Sequence, residues 1–190
     1  ALAQGLEKDY ALISGGARRD FFFSFAIAFL LKKPHLAFLK DGRSFWLENN
    51  ECQEIPADQT LEGPVLHVAD LLPAGSSYLR AWLPMPRAPG LKLEETLVIV
   101  DRDHTGRQAA EAEGAKVLAG LRLDDDFFLD AQKEGYLDDK QRQRIMQFRV
   151  DPDEYMERFL EEHPQFLENA LHADEKTRVR AQRFLDLQKN

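Results

Sequence analysis

The chain has 190 residues, of which 44% are hydrophobic and 31% are charged, a composition typical of a globular domain with a core. The formal net charge of −8 predicts a surface that repels nucleic acid and anionic membranes, so we expect neither as a partner. The single cysteine, Cys52, excludes an intrachain disulfide and a zinc site built from several cysteines. It favours a reducing, cytoplasmic location.

Short apolar runs and helical patterns alternate from the start of the chain. "YALISG" (10–15) predicts a strand, and Asp20 is expected to cap a helix over "FFFSFAIAFLL" (21–31). That apolar run is much shorter than the roughly 20 residues that span a bilayer. "HLAFLK" (35–40) predicts a second strand, and "SFWLEN" is a candidate partner strand after a turn. Residues 50–63 are acidic and are expected to be irregular.

Three further strands follow, at "PVLHVAD" (64–70), "ETLVIVD" (95–101) and "AKVLAGLRL" (115–123). The first leads into a small-residue turn and a helix, and the second leads through the loop "RDHTG" into a helix that ends at Gly114. Because the strands alternate with helices and are continuously apolar, we predict an α/β fold with a mostly parallel sheet covered on both faces.

The pattern changes at Asp124, after which five segments read as helices. Asp151 and Pro152 form a capping residue followed by proline at the first helical position. We therefore predict an α/β core over residues 1–123 and an α-helical C-terminal extension over 124–190 that packs on it.

Ligands of parallel sheets bind beyond the carboxyl ends of the strands, and the loops there are rich in polar residues and glycine. Gly75, Ser76 and Ser77 follow the strand that ends in Asp70, at a predicted helix N-terminus that can hold a phosphate. The alternative is a plain strand–turn–helix connection, since glycine and serine are common in turns. The histidines show no ligand spacing, so we predict no metal site formed by them.

Four segments in order, "LISGGARRD", "LLKKPHLAFLKDG", "VLHVADLLPAGSS" and "LVIVDRDHTG", resemble type I phosphoribosyltransferases over about residues 10–150. Orotate phosphoribosyltransferase is the branch most similar to them. The resemblance implies the fold of that family. It also implies transfer of phosphoribosyl from phosphoribosyl pyrophosphate to orotate or a related base in pyrimidine nucleotide synthesis, with Mg²⁺ carried mostly by substrate oxygens.

The resemblance also implies a role for individual residues. Asp70 and Lys40 would be the catalytic residues, with Asp70 on the ribose hydroxyls and Lys40 near the pyrophosphate. Arg102 would pair with the carboxylate of an acidic base. The phosphate-binding residues would be Gly75, Ser76 and Ser77 for the 5′-phosphate, and Gly15 and Gly16 for the pyrophosphate. A homodimer is implied too, and it would cover the second apolar side of helix 21–31; the C-terminal helices are the alternative cover.

The sequence departs from the family pattern at several of these positions. Ala69 stands where the family has the first of two adjacent acids, and Pro73 and Ala74 replace hydroxyl residues. Residues 41–63, which match a mobile basic loop of the orotate branch, are acidic here, and this charge is unfavourable over a pyrophosphate leaving group. Arg18 and Arg19 either supply cations or are solvated or paired with Asp20.

These departures favour an alternative function, a non-catalytic phosphoribosyl- or nucleotide-binding regulatory protein on the same fold. A weaker third alternative is a protein-interaction module that uses the acidic helical tail.

Overall fold

The computed structural model describes residues 5–6, 8–56, 59–72, 91–102, 104–112 and 114–188. The strands are β1 (Leu12–Gly16), β2 (His35–Phe38), β3 (Ser44–Glu48), β4 (Glu51–Ile55), β5 (Pro64–Leu72), β6 (Lys92–Asp101) and β7 (Lys116–Arg122). The helices are α1 (Asp20–Leu31), α2 (His104–Ala112), α3 (Asp125–Lys133), α4 (Asp139–Val150), α5 (Pro152–Glu162), α6 (Pro164–Leu171) and α7 (Glu175–Gln188).

The strands form one seven-stranded sheet in the order β4-β3-β2-β1-β5-β6-β7. Strands β1, β2, β5, β6 and β7 are parallel, and β3 and β4 add an antiparallel hairpin at one edge. The α/β class, the mostly parallel sheet and the C-terminal helices are therefore confirmed. Because the parallel strands run in one direction, their carboxyl ends meet at the same edge of the sheet.

The prediction that residues 50–63 are irregular is wrong over Glu51–Ile55, which forms β4 and pairs with β3. Asn49 and Asn50 join the two strands with φ angles of 51° and 64°. Positive φ at both central residues is what a two-residue type I′ hairpin turn requires. Most of β4 is exposed, Cys52 included, so the strand has no apolar run by which to be recognised.

The prediction that "RDHTG" is wholly a loop is also wrong, since α2 already begins at His104. Gly114 has a φ of 86° just after α2, which agrees with the glycine stop expected there.

Each face of the sheet carries its own apolar cluster. Helix α1 covers one face, where Ile27 and Ala28 pack with Ile13, Leu66 and Val68. The opposite face holds the larger cluster, to which α2 contributes Ala110. Its other buried members are Leu12, Leu36, Phe38, Ile55, Val65, Ala69, Leu72, Leu91, Leu93, Val98, Ala115 and Val117.

The chain divides into two compact units, residues 1–127 and 128–190. In the second unit the Asp151 side chain accepts hydrogen bonds from the backbone N–H groups of Asp153 and Glu154, so it caps α5 as predicted. No helix in the described part of the chain is long and apolar enough to cross a membrane.

Candidate functional site

The first turn of α1 is fastened to the end of β5 by Asp20. The prediction that Asp20 caps α1 is wrong, since the cap position belongs to Arg19 and no side chain caps the helix there. Asp20 Oδ1 instead accepts a hydrogen bond of 2.9 Å from the backbone N–H of Asp70. Only 6% of Asp20 is exposed, so this contact is made out of water.

Asp70 is held from a second side by Arg19. Arg19 Nε lies 2.9 Å from Asp70 Oδ2, and the Asp70 side chain is 21% exposed while that of Arg19 is 76% exposed. Arg19 therefore forms its ion pair with Asp70 and not with Asp20. Two consecutive residues, Arg19 and Asp20, contact the side chain and the backbone of one acid.

The two carboxyl groups influence each other. Burial, together with the neighbouring Asp70 carboxyl, raises the pKa of Asp20 to about 6. The backbone N–H groups of Asp70 and Gly16 act in the opposite direction, because they stabilise the ionised form. Asp20 therefore changes its charge much closer to neutral pH than an exposed aspartate.

Strand geometry explains why Asp70 reaches α1 and why its neighbour does not. Successive side chains of a strand point to opposite faces. Val68 belongs to the cluster under α1, whereas Ala69 is 1% exposed within the cluster on the other face. An acid at position 69 would point into that apolar cluster and away from Asp20.

Gly15 allows α1 to approach the sheet. A Cβ atom at Gly15 would lie 2.2 Å from Ser24 Oγ and 2.7 Å from Ser24 Cβ. Ser24 Oγ is also 2.8 Å from His35 Nε2, so a buried hydrogen bond joins α1 to β2 beside this glycine. Gly15 and Gly16 lie in β1, and their contact with a pyrophosphate stays a prediction.

The remaining described candidates follow other strands at the same edge. Lys40 is exposed in the turn after β2, and Arg102 is exposed directly after β6. Sequence reasoning missed Arg107, whose Nε lies 2.7 Å from Oδ2 of the buried Asp101. The sequence signal for this pair is weak: Arg107 lies in the helix that follows Asp101. The roles of Lys40 and Arg102 stay predictions.

Solved structures similar to this chain include adenine and orotate phosphoribosyltransferases and a UMP synthase. Adenine phosphoribosyltransferase from Thermoanaerobacter pseudethanolicus is 22% identical with a TM-score of 0.52, over 64% of this chain and 76% of its own. Orotate phosphoribosyltransferase from Aeropyrum pernix is 19% identical with a TM-score of 0.51, over 68% and 67%. UMP synthase from Leishmania donovani is 17% identical with a TM-score of 0.57, over 75% of this chain and 29% of its own.

The chain has the fold of type I phosphoribosyltransferases. No family model matches the sequence, and no curated protein matches it. The similar structures include enzymes named for adenine and for orotate. They therefore establish the phosphoribosyltransferase fold but do not identify a base.

The expected phosphate cradle of this phosphoribosyltransferase fold, Gly75, Ser76 and Ser77, lies outside the described residues, as do Pro73 and Ala74. Within the described residues no group of three or more histidine, cysteine or acidic side chains could hold a metal ion. Mg²⁺ needs only one or two carboxylates when substrate oxygens supply its other ligands. Asp70, whose side chain is 21% exposed, fits that limited requirement.

Proposed function

We propose that this chain binds phosphoribosyl pyrophosphate at the carboxyl edge of β1 and β5 and transfers its phosphoribosyl group to orotate or a related base. The observation that carries the proposal is the arrangement of Arg19, Asp20 and Asp70 at that edge of a phosphoribosyltransferase fold. An accessible carboxylate beside an exposed guanidinium suits a ligand that presents hydroxyl groups and phosphates together.

Each residue of the proposed site has a distinct role. Asp70 accepts hydrogen bonds from the ribose hydroxyls, and Arg19 leaves Asp70 to contact the departing pyrophosphate. The other roles are those implied by the resemblance, with Gly75, Ser76 and Ser77 on the 5′-phosphate, Gly15, Gly16 and Lys40 at the pyrophosphate, and Arg102 on the base. Mg²⁺ would be held by substrate oxygens and Asp70, and it would neutralise charge on the leaving group.

The reaction is a displacement at the sugar C1 through a cationic sugar, so positioning and charge stabilisation provide the catalysis. The chain supplies the acceptor that orients the sugar and the cations that face the pyrophosphate. A base with an acidic ring nitrogen needs no proton acceptor from the protein. This agrees with the buried, hydrogen-bonded state of His35 and His67, whose ring nitrogens contact Ser24 and Ser14.

Calorimetric titration with phosphoribosyl pyrophosphate and Mg²⁺ tests the proposal. Loss of a charge-assisted hydrogen bond costs about 1.5–3 kcal/mol, so Asp70→Asn should bind roughly 10- to 150-fold more weakly than the unchanged chain. Glu168→Gln, at an exposed position of α6, is the matched control and should bind as the unchanged chain does. Absence of binding by the unchanged chain would refute the proposed function.

Orotate and adenine are the bases to compare, because both occur in the names of similar structures. A bidentate contact from Arg102 to the orotate carboxylate should make Arg102→Ala roughly 10- to 150-fold weaker for orotate, from about 1.5–3 kcal/mol. Adenine has no carboxylate, so its affinity should change little. An unchanged orotate affinity in Arg102→Ala would remove the base-binding role.

A second candidate function is binding without turnover, in a regulatory protein. Two observations favour it: the Arg19–Asp70 ion pair occupies the acid, and the hairpin of β3 and β4 exposes Glu48, Glu51 and Glu54. Exposed acids near a leaving pyrophosphate oppose catalysis. Binding of phosphoribosyl pyrophosphate with no release of pyrophosphate on addition of either base would establish this candidate.

A homodimer is part of the proposal and rests on the outer side of α1. Phe22 and Phe29 are 78% and 83% exposed, and Leu30 is also largely exposed. Exposed large apolar side chains in one patch mark an interaction surface. A second copy is the expected occupant, with both copies in the cytoplasm.

A further inference from the structure

We propose that Asp20 is a positioning residue for Asp70, a role that rests on the function proposed above. Asp20 does not replace the acid missing at position 69 as a ligand. It fixes the backbone at the end of β5, so that the one remaining acid presents its carboxylate to the sugar.

The contacts support this role. Asp20 Oδ1 accepts the Asp70 backbone N–H at 2.9 Å, and Asp20 is 6% exposed. A buried backbone N–H without an acceptor is costly, so this end of β5 stays where Asp20 holds it. Arg19 contacts the Asp70 carboxylate at 2.9 Å with a side chain that is itself 76% exposed. The Asp70 backbone is thus fixed by a buried group, and its side chain is held by an exposed and displaceable one.

The surrounding groups restrict the alternatives. Ala69 lies on the opposite face of the sheet, so a carboxylate there would not meet the Asp70 backbone. Ser24, one turn further along α1, contacts His35 and not Asp70. Asp20 is therefore the side chain of α1 for which the described residues show a contact to Asp70.

Two substitutions separate the contact from the charge. Asp20→Asn keeps an oxygen acceptor at the same reach and removes the charge, whereas Asp20→Ala removes both. Ser24→Ala is the matched control, because it removes a buried polar contact of α1 without touching Asp70. Calorimetric titrations with Mg²⁺ and either phosphoribosyl pyrophosphate or free pyrophosphate measure the outcome.

We expect Asp20→Ala to bind phosphoribosyl pyrophosphate about 10-fold or more weakly, while Asp20→Asn stays within about 3-fold of the unchanged chain. Free pyrophosphate lacks the sugar and keeps only the Mg²⁺ contact to Asp70, so Asp20→Ala should weaken its binding less than that of phosphoribosyl pyrophosphate. Since Asp20 acts through Asp70, the double variant Asp20→Ala, Asp70→Ala should bind no more weakly than Asp70→Ala alone. Ser24→Ala should bind as the unchanged chain does.

Equal binding of phosphoribosyl pyrophosphate by Asp20→Ala and the unchanged chain would overturn the positioning role alone. Additive effects in the double variant would do the same. No binding by the unchanged chain would instead refute the proposed function, and the positioning role with it. If thermal unfolding shows that Asp20→Ala does not fold, Asp20→Glu takes its place. Because its carboxylate is displaced, Asp20→Glu should bind phosphoribosyl pyrophosphate more weakly than Asp20→Asn. The reverse order of affinities would overturn the positioning role.

Discussion

The two faces of the sheet each contain one buried serine–histidine pair, in different surroundings. Under α1, Ser24 Oγ lies 2.8 Å from His35 Nε2, and on the opposite face Ser14 Oγ lies 2.9 Å from His67 Nδ1. The first pair joins a helix to the sheet, beside Asp20 and the candidate site. The second lies within the sheet itself, where His67 is near Phe38 of the large apolar cluster.

On the face under α1, polar contacts join the helix to the sheet and continue to Asp70 at the sheet edge, whereas the opposite face holds the larger apolar cluster. Adjacent residues of β5 show the division, since Asp70 meets Asp20 and Ala69 is buried in the large cluster. The following substitutions and titrations test it.

Ala69→Glu should have the largest effect. If position 69 faced solvent, restoring the acid that is missing there would have little effect on the fold. Ala69 is instead 1% exposed, so the substitution buries a carboxylate without a partner and should lower the free energy of unfolding by about 3–5 kcal/mol. Asp70→Ala, one residue away, should cost less than about 1 kcal/mol because it breaks an ion pair with an exposed arginine. Denaturant unfolding measures both, and equal costs would contradict the division of the faces.

Gly15→Ala should have the next largest effect, through the face under α1. The new Cβ would lie 2.2 Å from Ser24 Oγ, so α1 must move and the free energy of unfolding should fall by about 2–3 kcal/mol. Adding Ser24→Gly removes both clashing atoms and should recover part of that loss, despite the cost of about 1 kcal/mol for glycine within a helix. Urea unfolding of both single variants and the double variant checks this. Additive losses would show that the two residues do not meet.

Acid should destabilise the protein through both histidine pairs. Burial lowers the pKa of His35 to about 4. Burial, together with the nearby His35, lowers the pKa of His67 to about 3. Below pH 6.5 the unfolded chain takes up two protons that the folded chain does not, so stability present above pH 6.5 is lost as the pH falls. Asp20 acts in the opposite direction, because its pKa of about 6 makes the folded chain bind a proton first.

From these three groups we expect a net loss of about 1.4 kcal/mol per pH unit between pH 6 and 5. Asp20→Asn removes the opposing proton and should make the loss steeper, whereas His35→Gln should make it shallower. Urea midpoints measured from pH 7 to 5 give the slopes. A stability that does not change over this range would show that the histidines are not buried as neutral groups.

Substitutions on the outer side of α1 should have the smallest effect on the fold of one chain. Phe22→Ser and Phe29→Ser remove exposed rings and should change the stability of the isolated chain by about 0.5 kcal/mol or less. They should nevertheless convert a dimer into a monomer in sedimentation experiments at tens of micromolar. A monomeric unchanged chain would remove the homodimer from the proposed function.

Much of the fold could be predicted from the sequence, because β5, β6 and β7 are apolar runs separated by helical patterns. Strand β4 was missed since its side chains are exposed and acidic, and its pairing depends on the turn at Asn49 and Asn50. The sequence predicts a capping role for Asp20, because an aspartate just before a helical pattern favours the N-cap position. Its actual partner, Asp70, is 50 residues away and becomes its neighbour only when β1 and β5 pair.

Cys52 gives this chain a single site for attaching a fluorescent label. It is the only cysteine in the sequence, and it is exposed on β4, in the acidic hairpin at the edge of the sheet. A thiol-reactive fluorophore would therefore attach at one known position without any prior mutagenesis. Its anisotropy would report whether the hairpin becomes more ordered when phosphoribosyl pyrophosphate is added.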